Sequence, residues 1–268
     1  MTRHVAPAGP PPTILLYAAR ERTRVMAHET FPRRRWRLLV RKSAADFARS
    51  FHEELIDAAV VDLGAAHEDN WQAAALAREY PSVPFFALTS LRAADGPILS
   101  QCAALEFADV LMEDVDDEAM RELVLRQAYS TRFARALEMP PAPLALSEGL
   151  QTDAWQYVVK FSGRPVRTAA LADSLGVTRE HLSRTFAARG APNLKRIIDL
   201  VRLIGAAELA KNPGYDVRDV AAVLGFASSS HLSSTALRIA GTRPASLARL
   251  RAVDLVDRFR RGHSRSRG

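Results

Sequence analysis

The C-terminal third of the chain carries one short pattern twice. In each copy a small alanine lies four residues before a glycine that follows a leucine: first Ala172 and Gly176, then, 49 residues later, Ala221 and Gly225. The alanine lets two helices cross closely, and the glycine accepts a left-handed turn between them. Each copy therefore predicts two short helices joined by a tight turn. Two copies with matched spacing indicate a DNA-binding protein.

A single long helix is predicted between the two copies. Asn193 is a suitable N-cap, and apolar residues recur at helical spacing from Leu194 onward. The helix is expected to run to about Lys211, because Pro213-Gly214 follows. About nineteen helical residues span roughly 28 Å, and successive major-groove faces of B-DNA lie about 34 Å apart. A rod of this length can place two recognition helices on one face of a duplex.

Residues 150–250 resemble the DNA-binding domain of the AraC/XylS family of bacterial transcription regulators. Besides the repeated pattern, the resemblance is carried by Thr178, His181-Leu182-Ser183-Arg184-Thr185-Phe186, Arg202, Gly225-Phe226, His231-Leu232-Ser233, Gly241 and Pro244. It implies an all-α domain with two helix-turn-helix units joined by a linker helix. It further implies double-stranded DNA as the partner and transcription regulation, more often activation, as the function.

The charge of the chain is divided unevenly between its halves. Residues 1–150 hold 17 basic and 21 acidic residues, whereas residues 151–268 hold 20 basic and 9 acidic residues. The positive field therefore lies on the half that carries the repeated pattern, as neutralisation of DNA phosphates requires. A solvated basic surface alone would be unremarkable, but its coincidence with the pattern favours DNA.

The N-terminal half alternates strand-like and helical patterns. The short apolar runs are Thr13–Tyr17, Trp36–Val40, Ala58–Asp62, Pro84–Leu88 and Ala108–Met112. The clearest helical patterns are Ala45–Leu55, Asn70–Tyr80 and Ile98–Phe107, and a longer one covers Asp116–Leu137. This alternation predicts a five-stranded parallel sheet with helices on both faces. Residues 13–135 thus resemble the receiver domain of response regulators, which implies a flavodoxin-like α/β fold.

The receiver resemblance places chemistry at the carboxyl ends of the strands. It implies a phosphoacceptor at Asp62 and a phosphoryl-sensing hydroxyl at Thr89. The acidic pair that would hold Mg²⁺ is replaced by Tyr17-Ala18-Ala19, and the expected lysine by Glu113-Asp114. Phosphoryl transfer depends on charge neutralisation by Mg²⁺, and one carboxylate alone is a poor site. We interpret the domain as a pseudo-receiver in which Asp62 is a vestigial phosphoacceptor and ends its strand. A cation held by Asp62 with Glu113-Asp114 is the minor alternative.

The first recognition helix is predicted to begin at Thr178 as N-cap. Its outward face then carries Arg179, Glu180, Ser183 and Arg184 as candidate DNA-binding residues. The resemblance implies that the last three reach base edges. Arg184 suits bidentate recognition of guanine, and Glu180 can accept from cytosine N4. A surface salt bridge is the alternative for Arg184, and His181 is expected to be partly packed beside the core.

The second recognition helix, capped by Ser228, departs from the family. Its predicted exposed DNA-binding positions are Ser229, Ser230, Ser233 and Ser234. The resemblance would place arginine at the last of these and a basic residue at Leu237. Short hydroxyls contact phosphate or either type of base edge but discriminate poorly. We therefore predict that this unit positions the protein, while the first unit supplies most of the specificity.

Three further segments complete the predicted organisation. Residues 1–12 are expected to be disordered, and residues 136–149, with their prolines, to form a semi-rigid linker. Residues 251–268 form a basic tail that is either a disordered arm or, up to about Arg260, a helical cap. Within the linker helix, Gly205 is expected to cost about 1 kcal/mol relative to alanine and to soften the rod.

The sequence also limits what else the protein can be. Its single cysteine, Cys102, excludes an intramolecular disulfide and fits a reducing cytoplasm. No apolar run approaches the roughly 20 residues that span a bilayer. The sequence has no phosphate-cradling glycine loop, metal-ligand spacing or nucleophile elbow. We expect a cytoplasmic, non-enzymatic protein without cofactor, metal or membrane partner.

The sequence thus supports two hypotheses. The first is a sequence-specific transcription regulator, more an activator than a repressor, whose pseudo-receiver forms a homodimer or responds to a small-molecule or protein effector. RNA polymerase is a further expected partner. The alternative is a degenerate regulator that acts mainly as a protein- or ligand-binding interaction module with weak DNA affinity.

Overall fold

A computed structural model describes residues 9–64, 68–90, 96–113, 117–147, 149–187 and 191–264. The chain divides into two compact units. A sheet unit contains Pro11–Arg132 together with Asn212–Tyr215. A helical unit contains Phe133–Lys211 and the described residues from Asp216 onward. The predicted disorder of residues 1–12 falls mostly on residues 1–8, which lie outside the described residues.

The sheet unit is built on five parallel strands. They are β1 (Thr13–Tyr17), β2 (Arg37–Arg41), β3 (Ala58–Asp62), β4 (Phe85–Thr89) and β5 (Asp109–Met112). Their order across the sheet is β2-β1-β3-β4-β5, and every neighbouring pair is parallel. Every residue of β1, β3 and β4 is buried, as a sheet covered on both faces requires. This is the flavodoxin-like order, which confirms the predicted fold class.

Helices follow the strands in the alternating order that the sequence predicts. They are α1 (Glu21–Thr30), α2 (Ala44–Glu53), α3 (Glu68–Ala75) with a 3₁₀ turn at Leu76–Arg78, α4 (Gly96–Ala104), α5 (Asp117–Gln127) and α6 (Tyr129–Ala136). Successive residues of each central strand face opposite sides of the sheet. Ile14, Val60 and Phe86 belong to one core cluster. On α2, the rings of Phe47 and Phe51 pack against Phe85.

The predicted single helix over Asp116–Leu137 is wrong, because the chain breaks at Ala128. The cause is the buried Asp57, which precedes β3. Its carboxylate accepts from the backbone N–H of Ser130 at 2.9 Å and of Thr13 at 2.8 Å, and its carbonyl accepts from the N–H of Tyr129. These bonds satisfy donors at the start of a new helix, as an N-cap does.

The helical unit holds seven further helices in its described residues. They are α7 (Gly149–Lys160), α8 (Thr168–Ser174), α9 (Arg179–Ala187), α10 (Leu194–Leu209), α11 (Val217–Val223), α12 (Ser229–Ala240) and α13 (Ala252–Ser264). The described residues of the predicted semi-rigid linker pack within the helical unit. Its 3₁₀ turn, Ala142–Leu144, buries Leu144 and contacts α13, while Trp155 of α7 donates to the carbonyl of Leu137 at 2.8 Å.

The linker helix α10 is buried along most of its length and is shorter than predicted, since it ends at Leu209. Asn193 caps it by accepting from the N–H of Arg196 at 2.9 Å, as predicted. Gly205 has a packing role in this helix besides the softening that the sequence predicts. A Cβ at Gly205 would lie 2.9 Å from the Cα of Gly163 and 3.1 Å from the carbonyl of Ser162. The glycine is required by close backbone approach, which the sequence interpretation missed.

The basic tail is helical rather than a disordered arm as far as Ser264. Leu255, Val256 and Phe259 of α13 are buried, so this helix packs as the cap that the sequence left as an alternative. Residues 265–268 lie outside the described residues.

None of the helices in the described ranges has the length and apolar character needed to cross a bilayer. In the same residues, no group of three or more histidine, cysteine or acidic side chains is placed to hold a metal ion. Cys102 on α4 is buried, and burial raises the pKa of its thiol above the ordinary value.

Candidate nucleic-acid interface

The first helix-turn-helix unit consists of α8, a tight turn and α9. Gly176 takes the left-handed conformation, with φ of 65°, at the turn. Thr178 caps α9, because its hydroxyl accepts from the N–H of His181 at 3.1 Å. Leu182 and Phe186 are buried and hold α9 against the rest of the unit. The sequence pattern is thus realised, and it fixes which face of α9 points outward.

That outward face carries the predicted DNA-binding residues. Arg179, Glu180, Ser183 and Arg184 are all exposed. The Nε of Arg184 donates to the carbonyl of Glu180 at 3.3 Å, which lays its stem along the helix. His181 is also exposed, so the expectation that it is partly packed is wrong. Its position one residue before the buried Leu182 turns it toward solvent.

The second helix-turn-helix unit consists of α11, a turn and α12. Asp216 and Asp219 form a reciprocal capping box at the start of α11. Gly225 is left-handed, with φ of 60°. Ser228 caps α12 by accepting from the N–H of His231 at 3.1 Å. Both caps satisfy backbone donors that would otherwise lack partners.

The predicted serine face of α12 is only partly exposed. Ser230 and Ser234 are exposed, whereas Ser229 and Ser233 are half-buried. The hydroxyl of Ser233 donates to the carbonyl of Ser229 at 2.8 Å, and that of Ser234 donates to the carbonyl of His231 at 3.0 Å. The hydroxyls of Ser233 and Ser234 are thus engaged by their own helix. The expectation of four exposed serines is wrong for Ser229 and Ser233, because both are half-buried.

Arg202 organises the turn of the second unit, a role that the sequence interpretation did not assign. Its Nη2 donates to the carbonyls of Leu224 and Gly225, each at 3.2 Å. Its guanidinium lies 3.9 Å from the ring centroid of Phe226, a cation–π contact. Burial lowers the pKa of Arg202, opposed by the nearby charge of Asp199. An arginine inside the apolar stripe of a predicted helix was the available signal.

A second link joins α10 to the recognition helix α12. Arg238 donates to the carboxylate of Asp199 at 2.9 Å. Asp199 is buried, whereas Arg238 is half exposed, so the pair is partly screened by solvent. Together with Arg202, this pair fixes the orientation of the second unit on the linker helix.

The sheet unit contains a separate charged cluster at the carboxyl ends of its strands. Arg20, which follows β1, donates through Nε to Asp62 at 2.9 Å and through Nη2 to both Asp62 and Glu113. The carboxylates are buried, with side chains 1% and 6% exposed, and that of Arg20 is 26% exposed. Hydrogen bonding to Asp62 and, less strongly, to Glu113 raises the pKa of Arg20 above its ordinary value.

This cluster argues against the minor alternative, a metal cation held by Asp62 with Glu113-Asp114. The sequence interpretation left the charge of Glu113 uncompensated and did not consider Arg20. Instead, the guanidinium lies between the two carboxylates, and Asp114 lies outside the described residues. Gly64 leaves room for the guanidinium of Arg20, because a Cβ at this position would lie 2.2 Å from Nη2 of Arg20. Asp62 ends β3 and accepts from the N–H of Gly64 at 3.0 Å, which agrees with its predicted strand-end role.

The comparisons with known families bear on the helical unit. A family described as "Helix-turn-helix domain" matches residues 171–249, which run from within α8 through α9, the linker helix α10 and the whole second unit. These residues match the AraC type of helix-turn-helix domain. This agrees with the predicted family and makes the chain a DNA-binding transcription regulator. The match ends at Arg249, so α13 lies beyond it.

Solved structures similar to the chain include response regulators and an isolated receiver domain. Full-length FixJ from B. japonicum is 14% identical over 70% of this chain and 94% of its own, with a TM-score of 0.38. StyR is 15% identical over 71% and 98%, with a TM-score of 0.39. The receiver domain of sensor histidine kinase PA1611 from Pseudomonas aeruginosa is 19% identical over 44% and 97%, with a TM-score of 0.38. No curated protein matches the chain.

Proposed function

We propose that the chain is a sequence-specific regulator, more an activator than a repressor, that reads its operator mainly through α9. The observation that carries this proposal is the face of α9, where Arg179, Glu180, Ser183 and Arg184 are exposed while Leu182 is buried. Four exposed polar residues on a capped recognition helix can reach base edges in the major groove. The excess of basic residues after residue 150 supplies attraction to phosphate.

In this proposal the two helix-turn-helix units have different roles. Arg184 supplies a guanidinium for guanine, and Glu180 supplies an acceptor for cytosine N4. On α12, Ser230 and Ser234 present only short hydroxyls, and that of Ser234 is bound to its own helix. The second unit therefore positions the protein on the duplex and contributes little discrimination.

Selection of bound sequences from random DNA, followed by titration of the selected site, tests this function. Arg184→Ala is expected to weaken binding to the selected site about 10- to 100-fold and to relax one base position, the range for one bidentate contact. Arg126→Ala, which removes an exposed arginine from α5, is the matched control and should bind like wild type. Equal affinity of the Arg184 variant and wild type would refute base reading by α9.

We further propose that the sheet unit is a pseudo-receiver that does not depend on phosphorylation. Arg20 holds Asp62 on two guanidinium nitrogens, so the carboxylate is neither free to attack a phosphoryl donor nor open to Mg²⁺. Incubation with acetyl phosphate and Mg²⁺, followed by intact-mass measurement, should give no adduct. A stoichiometric adduct in wild type that Asp62→Asn abolishes would overturn this proposal.

The proposed response of the sheet unit is homodimerisation. Helices α1 and α5 contact each other, and each exposes an aliphatic side chain, Val25 and Leu125. Val25→Glu should shift the chain toward monomer in light scattering. Val253→Glu on α13 is the matched control, because Val253 is 53% exposed against 55% for Val25. A small-molecule or protein effector would act on the equilibrium between monomer and dimer. RNA polymerase would act on the complex of the protein with DNA.

The alternative function is an interaction module with weak DNA affinity of its own. The observation that favours it is the hydroxyl of Ser234, which donates to its own helix instead of standing free. Genomic footprinting separates the two functions. The alternative predicts identical occupancy for wild type and Arg184→Ala, whereas the sequence-specific function predicts lost occupancy in the variant.

A further inference from the structure

A cleft of about 360 Å³ lies where the carboxyl end of α12 meets α13. Three arginines line it: Arg238 from α12, and Arg258 and Arg261 from α13. Leu237, which is exposed, forms part of its apolar lining. None of its described lining residues is acidic. The cleft is therefore built to receive an anion.

Of the three guanidinium groups in the cleft, only that of Arg238 forms an ion pair within the described residues, and the charge of Arg258 also acts on the nearby carboxylate of Asp254. Arg238 is paired with Asp199, and Arg251 pairs with Asp254 on α13. Arg258 and Arg261 are exposed and lie three residues apart, on neighbouring positions of one helix face. Arg261 donates through Nε to the backbone carbonyl of Asp257 at 3.4 Å, which leaves its other nitrogens to face the cleft.

The position of the cleft on α12 indicates which anion it meets. Ser230, Ser234 and Leu237 follow one another at helical spacing and share one face of α12. Recognition helices place their N-terminal residues against base edges. Leu237 lies seven residues beyond Ser230, about 10 Å along the axis, so the cleft continues the same face beyond the residues that meet the bases. In the proposed function the anions nearest this part of α12 are the backbone phosphates that border the groove.

We propose that this cleft binds a backbone phosphate of duplex DNA through Arg258 and Arg261, and this rests on the proposed function. Helix α13 lies beyond the residues of the helix-turn-helix match, which ends at residue 249, and packs against α10 and α12. The phosphate contact compensates for the sparse polar face of α12. The arginines also stabilise the carboxyl ends of two helices, but that role alone would leave DNA affinity unchanged.

The salt dependence of DNA binding by the full chain tests the proposal. Arg258→Ala and Arg261→Ala are each expected to weaken binding about three- to tenfold, equally for the selected site and for random duplex. The double variant, which frees this one phosphate, should lower the slope of log K against log salt by about one. Arg260→Ala is the matched control, since Arg260 is an exposed arginine of α13 outside the cleft. Circular dichroism of every variant checks the fold.

Each outcome bears on the proposal. An unchanged slope in the double variant overturns it while the proposed function stands, provided that wild type binds the selected site. An equal loss in Arg260→Ala assigns the effect to diffuse tail charge and overturns it. If the cleft variants keep the DNA slope of wild type but lose binding to poly-glutamate, the cleft belongs to an acidic protein partner and the proposal is overturned. Failure of wild type to bind any duplex removes both the proposed function and the cleft contact.

Discussion

Replacement of Arg20 by methionine tests how the sheet unit neutralises its acidic edge. The variant Arg20→Met keeps most of the apolar stem and removes the charge. It leaves the buried carboxylates of Asp62 and Glu113 facing each other without a cation. Breaking a buried ion pair by removing one partner costs about 3–5 kcal/mol. Because Arg20 is 26% exposed, water enters part of the gap, and we expect about 2–4 kcal/mol.

Urea denaturation of the full chain and hydrogen exchange of β3 measure this loss. Exchange at β3 should accelerate, since this strand carries Asp62. Mg²⁺ should restore part of the lost stability to Arg20→Met and add nothing to wild type, because a cation that binds only the folded variant shifts its folding equilibrium. Arg37→Met is the matched control. It breaks the more exposed pair with Glu54 and should cost less than about 1 kcal/mol.

The pH dependence of this contribution follows from the raised pKa of Arg20. A group whose pKa is higher in the folded state stabilises the protein fully below its ordinary pKa and loses that effect only above it. The guanidinium contribution should therefore be constant from neutral pH to about pH 11. Equal stability of wild type and Arg20→Met at pH 7, with slow exchange at β3 in both, would refute the reasoning.

Three further changes give separate tests. Gly205→Ala should lower the free energy of unfolding by about 1–3 kcal/mol in urea denaturation, because its Cβ would lie 2.9 Å from the Cα of Gly163. Gly262→Ala on α13 should instead raise the free energy of unfolding by up to about 1 kcal/mol, because a Cβ there meets nothing within 4 Å. Arg202→Lys should accelerate hydrogen exchange around Gly225 and weaken DNA binding, because an ammonium cannot both bridge two carbonyls and cover Phe226. Unchanged exchange would contradict the role of Arg202 in holding this turn. Asp57→Asn should cost about 1–3 kcal/mol, because the amide places a donor where two backbone N–H groups need acceptors; a loss below about 0.5 kcal/mol would argue against this capping role.

The features that the sequence predicted are local. Asn193, Thr178 and Ser228 cap helices as predicted, and each accepts from an N–H three residues later. The left-handed glycines and the five strands also follow from short patterns. Caps, turns and periodicity act between residues a few positions apart, so the linear order of side chains contains the information.

The features that the sequence did not disclose join residues distant in the chain. Arg20 meets partners 42 and 93 positions away, and Asp57 divides α5 from α6 across 73 positions. Two residues of α10 likewise meet distant parts of the chain. Gly205 lies against the backbone of Gly163, and Arg202 donates to the carbonyl of Leu224. Periodicity and caps were enough to predict two recognition helices on a linker and a parallel α/β sheet. Which charges neutralise the acidic edge, where the backbones touch and how the basic tail packs became visible only in the folded protein, because these features depend on distances that no local pattern encodes.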